Sequence, residues 1–295
     1  MVQENKIKTL LVALGICDEA SVEEFYPQVR DRHDISVLRC KKSGVIFLSR
    51  SDHMSLDHYH DKDSFEYWLE GDRAKAVLSV HEDTSRRAAQ IRALVTNKNW
   101  LDVGTGAGAI LDALGKSAAT VTAVEPQDKA RNTLKKLGHR VYPRINEVEE
   151  SNVDIVTLFH VFEHFTDPLE ELKTLKSKMA PGGRIFIEVP HAEDFLISFL
   201  EHESFKRFTF WSEHLILHTR RSLTRMLEEA GFSEICVKGF QRYPLANHLH
   251  WLAKDKPGGH LAWDVLRTPE LDLAYGQMLA QMDRTDTLIV TAQRR

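Results

Sequence analysis

One stretch constrains this chain more than any other: an apolar run that stops on an acid and breaks into spaced glycines, Leu101-Asp-Val-Gly-Thr-Gly-Ala-Gly-Ala-Ile110. Leu101–Val103 reads as a strand end, and Ile110, Leu111 and Leu114 read as the buried side of a helix. Gly104, Gly106 and Gly108 are wanted between them, because the backbone must turn sharply off the strand and let a ligand come close. The helix that follows offers free N–H groups and a positive dipole end to an anionic group. The loop therefore points to a nucleotide-type ligand. Gly104, Gly106 and Ala109 also satisfy the dinucleotide spacing G-x-G-x-x-G/A, so spacing alone leaves a nicotinamide cofactor open.

Two acids move the reading away from hydride transfer. Asp102 stands just ahead of the glycines, where a dinucleotide strand is usually apolar, and suits a ligand that carries an ammonium group. Val121-Thr-Ala-Val-Glu125 is an apolar strand ending in a carboxylate, which can accept hydrogen bonds from two ribose hydroxyls. Together these segments resemble the first two motifs of the class I S-adenosylmethionine (SAM)-dependent methyltransferases. That resemblance implies SAM as cofactor, contacted by Asp102, Gly104, Thr105, Gly106, Gly108, Glu125 and Pro126. It also implies that Phe159 and His160, after the fourth core strand, border SAM and the acceptor.

Beyond the loop, apolar runs at Trp100–Val103, Val121–Val124, His139–Tyr142, Val153–Phe159 and Arg184–Val189 alternate with helical patterns. Such alternation predicts a parallel sheet covered on both faces. Thr166 is expected to cap the helix after Phe159, with Pro168 in its first turn. Glu234–Phe240 and Asp286–Ala292 are the last strand candidates, giving an α/β, seven-stranded Rossmann-like methyltransferase sheet, mostly parallel with an antiparallel last strand. The expected division is an N-terminal lid or subdomain over residues 1–85 and a methyltransferase domain over 86–295. Residues 241–285 are too many for a hairpin and read as an insertion over the acceptor end of the cleft. By the same resemblance Tyr59, Tyr67, Trp68 and Arg73 would cover SAM or meet its carboxylate.

The net charge of −4 and the absence of a basic stripe argue against nucleic acid as a partner. Cys17, Cys40 and Cys236 form no disulfide framework and fit a reducing, cytoplasmic setting. No apolar run reaches membrane-spanning length, so membrane insertion is not expected. A small-molecule acceptor is the expected partner, and a homodimer stays open.

Methyl transfer from a sulfonium is an in-line displacement that asks the site to align the reactants, exclude water and remove a proton from the acceptor. Histidine suits the last task. His160, His191 and His214 fall at cleft-facing ends, with His164 and His218 behind them, and Glu163 is an alternative base or hydroxyl-binding group. Glu188 is a second such acid. His160-Val-Phe-Glu-His164 also matches the inverted zinc-protease motif H-x-x-E-H, which needs both histidines on one helix face. His160 directly follows a strand-like run, so no metal is expected there. None is expected at Cys40-Lys-Lys-Ser43 either, where some sugar C-methyltransferases carry a zinc-binding Cys-x-x-Cys. Residues 154–168, 213–232 and the tail resemble bacterial methyltransferases of glycan and sugar biosynthesis, implying O-methylation of a sugar or nucleotide-sugar. The rivals are an NAD(P)-dependent oxidoreductase and a non-catalytic SAM-binding protein.

Overall fold

A computed structural model describes residues 5–54 and 72–295. Tyr59, Tyr67 and Trp68 of the expected lid lie outside them. In chain order the first elements are α1 (Lys6–Ala13), β1 (Val22–Tyr26), β2 (Val37–Cys40) and β3 (Ile46–Leu48). Next come α2 (Arg73–Ser79), α3 (His81–Val95), β4 (Asn99–Val103), α4 (Ala109–Leu114), β5 (Thr120–Val124), α5 (Asp128–Lys136) and β6 (Arg140–Tyr142). The middle of the chain supplies β7 (Val153–Phe159), α6 (Pro168–Lys178), β8 (Met179–Pro190), α7 (Glu203–Thr209), β9 (Ile216–Leu217) and α8 (Arg220–Glu229). The last part holds β10 (Phe232–Phe240), α9 (Leu245–Lys254), α10 (Gly259–Ala262), α11 (Pro269–Gln281) and β11 (Thr287–Arg294).

Seven strands join in the order β10-β11-β8-β7-β4-β5-β6. All neighbours pair in parallel except β11, which runs antiparallel to both β8 and β10. The seven expected strands and the antiparallel last one are therefore present. Their apolar character follows from burial on both faces: Val156, Leu158, Ile185, Ile187 and Val290 are fully enclosed. Strand order reverses between β4 and β7, and in an open sheet this switch point opens a crevice beyond the carboxyl ends of the strands.

Helices start where short polar side chains satisfy their free N–H groups. Thr219 accepts from Ser222 N to open α8, whose Leu223, Met226 and Leu227 turn inward. At α6 the cap is Asp167, not Thr166, with Pro168 in the first turn as expected. The carboxylate reaches the Glu170 N–H from one position nearer the helix, leaving Thr166 exposed.

The N-terminal strands form a second, four-stranded sheet, β1-β2-β3-β9, all of whose pairs are antiparallel. Its fourth member comes from the far side of the chain, with Ile46 opposite Leu217 and Phe47 opposite Ile216. Ile7, Leu11, Val37 and Phe47 share one apolar core with Val103, Val156 and Ile187 of the large sheet. The region 241–285 folds as α9, α10 and α11 between β10 and β11. Arg242 reaches from its start to Asp83 on α3, and Arg267 to Glu82. No helix among the described residues is long and apolar enough to cross a membrane.

Candidate active site

The glycine loop leaves β4 with Gly104 at φ +71°, Gly106 at +54° and Gly108 at +75°. A side chain at Gly104 would strike Val161, and one at Gly108 would strike Leu134. At Gly106 a Cβ would meet nothing within 4 Å, so the loop presents bare backbone to open space. Such a cradle is what close approach by a ligand needs. Arg73 lies against it, donating to the Ala107 carbonyl at 2.9 Å and pairing with Asp112 at 2.6 Å.

Two acids back the loop. Thr157 donates to Asp102 Oδ1 at 2.6 Å and itself accepts from the Trp100 indole at 2.8 Å, so Asp102 is braced inside the sheet. Burial raises the Asp102 carboxyl to about 6. Glu125, at the end of β5, accepts Gly106 N–H on Oε2 at 2.8 Å and Gln127 N–H on Oε1 at 2.9 Å. Burial also raises this carboxyl to about 6. Each Glu125 oxygen takes a single backbone proton and keeps further acceptor capacity. Arg131 donates to the carbonyls of Glu125 and Pro126, fixing the turn behind the carboxylate. This remaining acceptor capacity fits a nucleoside whose free ribose hydroxyls donate.

The strand ends across the switch point carry a second cluster. His160 terminates β7 at φ +55°, a left-handed conformation that costs a non-glycine residue free energy and often marks function. Its N–H donates to the Glu188 carbonyl at 2.8 Å. Its ring lies between two carboxylates, with Nδ1 at 3.2 Å from Glu163 Oε1 and Nε2 at 3.3 Å from Glu188 Oε1. Burial opposes the imidazolium, but Glu163 and Glu188 outweigh it and raise His160 above its ordinary value. Nε2 has no hydrogen bond of good geometry.

Glu188 is fully buried and accepts from Arg86 at 2.7 Å and from Arg87 at 2.6 Å. It is thus saturated as a partner for its own side of the cleft. Arg86 and Arg87 also lie over the rings of Phe240 and Phe159, respectively. Arg86, Asp83 and Arg242 continue the network into the 241–285 region. Neither arginine was picked out by the sequence reading; adjacent cations on a helix ordinarily read as a solvated face.

The other histidines differ in setting. His191, at the end of β8, is buried and bonded through Nδ1 to the Thr285 carbonyl at 2.9 Å, and burial lowers it to about 4. His218 bonds Ser222 and stacks on Phe162, and burial lowers it to about 4. His214 packs edge-on against His164, and burial followed by that neighbour lowers it to about 3. Burial would raise Glu163, yet His160 holds it down at about 2. Residues 160–164 form no helix: a 3₁₀ turn spans Phe162–His164 only. The H-x-x-E-H histidines therefore do not sit one α-turn apart.

A family model described as a methyltransferase domain matches residues 73–237, more than half of the chain. The chain belongs to the class I SAM-dependent methyltransferases. This methyltransferase is 30% identical over 119 residues to a ubiquinone biosynthesis O-methyltransferase of Nitrosospira multiformis, covering 36% of this chain and 50% of the relative. It is 26% identical over 178 residues to an enzyme of the same name from Coxiella burnetii, covering 56% and 76%. The methyltransferase thus spans half the length of the first relative and three quarters of the second.

Among solved structures, a chain from the complex of the Haloferax volcanii Trm112 methyltransferase activator with a methyltransferase superposes with a TM-score of 0.54. That match is at 14% identity and covers 79% of this chain and 98% of the other. Magnesium protoporphyrin IX methyltransferase of Synechocystis, with bound SAH, gives a TM-score of 0.51 at 13% identity, covering 81% and 97%. At such identity the likeness concerns the fold. SAM is the cosubstrate of this methyltransferase family.

Proposed function

We propose that this chain transfers a methyl group from SAM to a hydroxyl oxygen of a small polar acceptor. The observation that carries the reading is Glu125: a buried carboxylate whose two oxygens each hold one backbone N–H of the turn beside the open Gly106 cradle. In this reading Glu125 takes the ribose hydroxyls, and Gly104, Thr105, Gly106, Gly108 and Pro126 shape the wall. Asp102 sets negative charge behind the loop for the ammonium group. Bound SAM supplies an electrophilic methyl on a sulfonium.

His160 is assigned as the group that removes the acceptor proton. Glu163 accepts the Nδ1 proton and fixes the ring, which leaves the Nε2 lone pair for the acceptor hydroxyl. Glu188 stands beside Nε2 and favours the imidazolium once it forms. His191 and His214 are the reserve candidates, and Phe159 is placed as an apolar wall. The O-methyltransferase names of the curated relatives favour oxygen as the methylated atom. Those names speak of ubiquinone biosynthesis and lend no support to a glycan acceptor. A sugar or nucleotide-sugar hydroxyl rests on the sequence resemblance and on the polar lining from His160, Arg86 and Arg242.

The test is a turnover screen with labelled SAM against phenolic acceptors and nucleotide sugars, with the methylated product identified by mass spectrometry and NMR. A methyl ether is expected, and the acceptor that yields it names the class. Methyl on carbon or nitrogen would overturn the oxygen assignment.

Two binding results are also expected. Glu125→Ala should weaken SAH binding by about 1–3 kcal/mol, the cost of leaving buried hydroxyl partners unpaired, as read by calorimetry. Wild-type affinity should fall as pH drops below about 6, where Asp102 and Glu125 take up protons that ligand binding must expel. The wild-type pH dependence should flatten in Glu125→Ala; a flat wild-type profile from pH 5 to 8 would contradict both roles.

A further inference from the structure

We propose that Glu163, His164 and His214 form a binding site for a divalent transition-metal ion of the zinc class. Each offers a ligand atom, and these atoms all lie within 4.8 Å of one another. They come from two separate segments. Glu163 and His164 sit on the 3₁₀ turn after β7, and His214 on the turn before β9. The Leu215 N–H donates to the Glu163 carbonyl at 2.9 Å, stapling those turns together.

The second, independent observation is what the cluster lacks. Glu163 Oε2, His164 Nδ1 and His214 Nδ1 are all buried without a hydrogen-bond partner. A single orphan of this kind costs about 1–3 kcal/mol, and native proteins seldom keep one without a reason. Three such orphans on three clustered side chains share an explanation if those side chains turn to a common ligand. The other Glu163 oxygen is already held by His160 at 3.2 Å and lies 4.0 Å from His164 Nε2; the His160 contact orients the carboxylate, as an outer-sphere partner does for a metal ligand, and Oε2 keeps its acceptor capacity. Trp211 packs edge-on against both imidazoles and walls the site with apolar surface.

The donor set selects the class of ion. Two imidazoles and one carboxylate suit zinc and its neighbours, whereas magnesium and calcium want oxygen ligands throughout. Tetrahedral zinc with bonds of about 2.0–2.2 Å would draw the three ligand atoms together from separations of up to 4.8 Å. Three protein ligands leave a fourth position for water or an acceptor oxygen, as in catalytic zinc sites. The H-x-x-E-H motif then contributes its last two residues, while its first serves a different partner. The site stands on this geometry and does not depend on the acceptor proposed above.

The untagged full chain, stripped with chelator, is titrated with Zn²⁺ against a competing indicator and with Co²⁺ followed by its visible absorption. One equivalent is expected, with cobalt bands typical of four-coordination. His214→Gln and His164→Gln should each weaken zinc binding at least tenfold, while the exposed control His33→Gln should not. SAH binding, measured on every variant, reports separately on the methyltransferase fold and cofactor site. Should the variants fail to fold, crystals of the wild-type chain with Zn²⁺, measured at the zinc edge, locate the ion directly. An anomalous peak among Glu163, His164 and His214 supports the site. No stoichiometric binding, unchanged affinity in both histidine variants, or a peak elsewhere overturns it.

Discussion

Replacing His160 by alanine is expected to lower kcat by roughly 10²–10⁴-fold, the usual contribution of a positioned general base. The SAH dissociation constant should change little, because the glycine loop and Glu125 lie on other strands, whereas the melting temperature should fall as the buried Glu163 loses its partner. Three features support a loss of this size. The ring stands at the end of β7 beside the switch point, the backbone is held in a left-handed conformation, and a buried carboxylate orients Nδ1. Free imidazole should restore part of the activity, an effect that a merely structural histidine would not show. Full kcat in His160→Ala on the true acceptor would eliminate the assignment and pass the role to His191 or His214.

The second large effect concerns Glu188. Glu188→Ala should destabilise the fold by about 3–5 kcal/mol in denaturant unfolding, since removing one partner of a buried ion pair leaves the others uncompensated. Here the abandoned groups are the Arg86 and Arg87 guanidiniums, and His160 loses a neighbour as well. Burial would raise the Glu188 carboxyl, but His160, Arg86 and Arg87 hold it well below the ordinary carboxylate range. The sign follows: its contribution is complete above that ordinary range and fades as pH falls toward the depressed value. Wild-type stability should therefore drop more steeply below pH 4 than that of Glu188→Gln. Equal stability of wild type and Glu188→Ala at neutral pH would show that the cluster contributes nothing.

Sequence reasoning reached the large sheet because its signals are local. A glycine turn between an apolar run and an apolar helix, five buried runs with helices between, and a carboxylate at a strand end are all visible within short windows. It located β10 and β11 although residues 241–285 lie between them. It missed β1, α7 and β9, whose burial is decided by contacts across the chain: β9 is only two residues long and exists because Ile46 and Phe47 offer it an edge. The same reason hid Arg86 and Arg87. Their partner Glu188 is some hundred positions away, and no periodicity ties a helix surface to the far end of a strand. Likewise His160 and His164 share a motif on paper, whereas in space they flank Glu163 and then part, His160 toward Glu188 and His164 toward Trp211 and His214.

The antiparallel strand β11 follows both β8 and β10 in chain order, yet it lies between them in the finished sheet. Residues 73–237, the stretch that the family model matches, therefore do not mark a unit that can stand by itself. A fragment trimmed to those limits would expose the β8 edge, with Ile185, Ile187 and Val189 unprotected, and set β10 adrift beside it. Such bare, apolar edges recruit other chains. Until β11 pairs on both of its sides, the sheet stays open between β8 and β10.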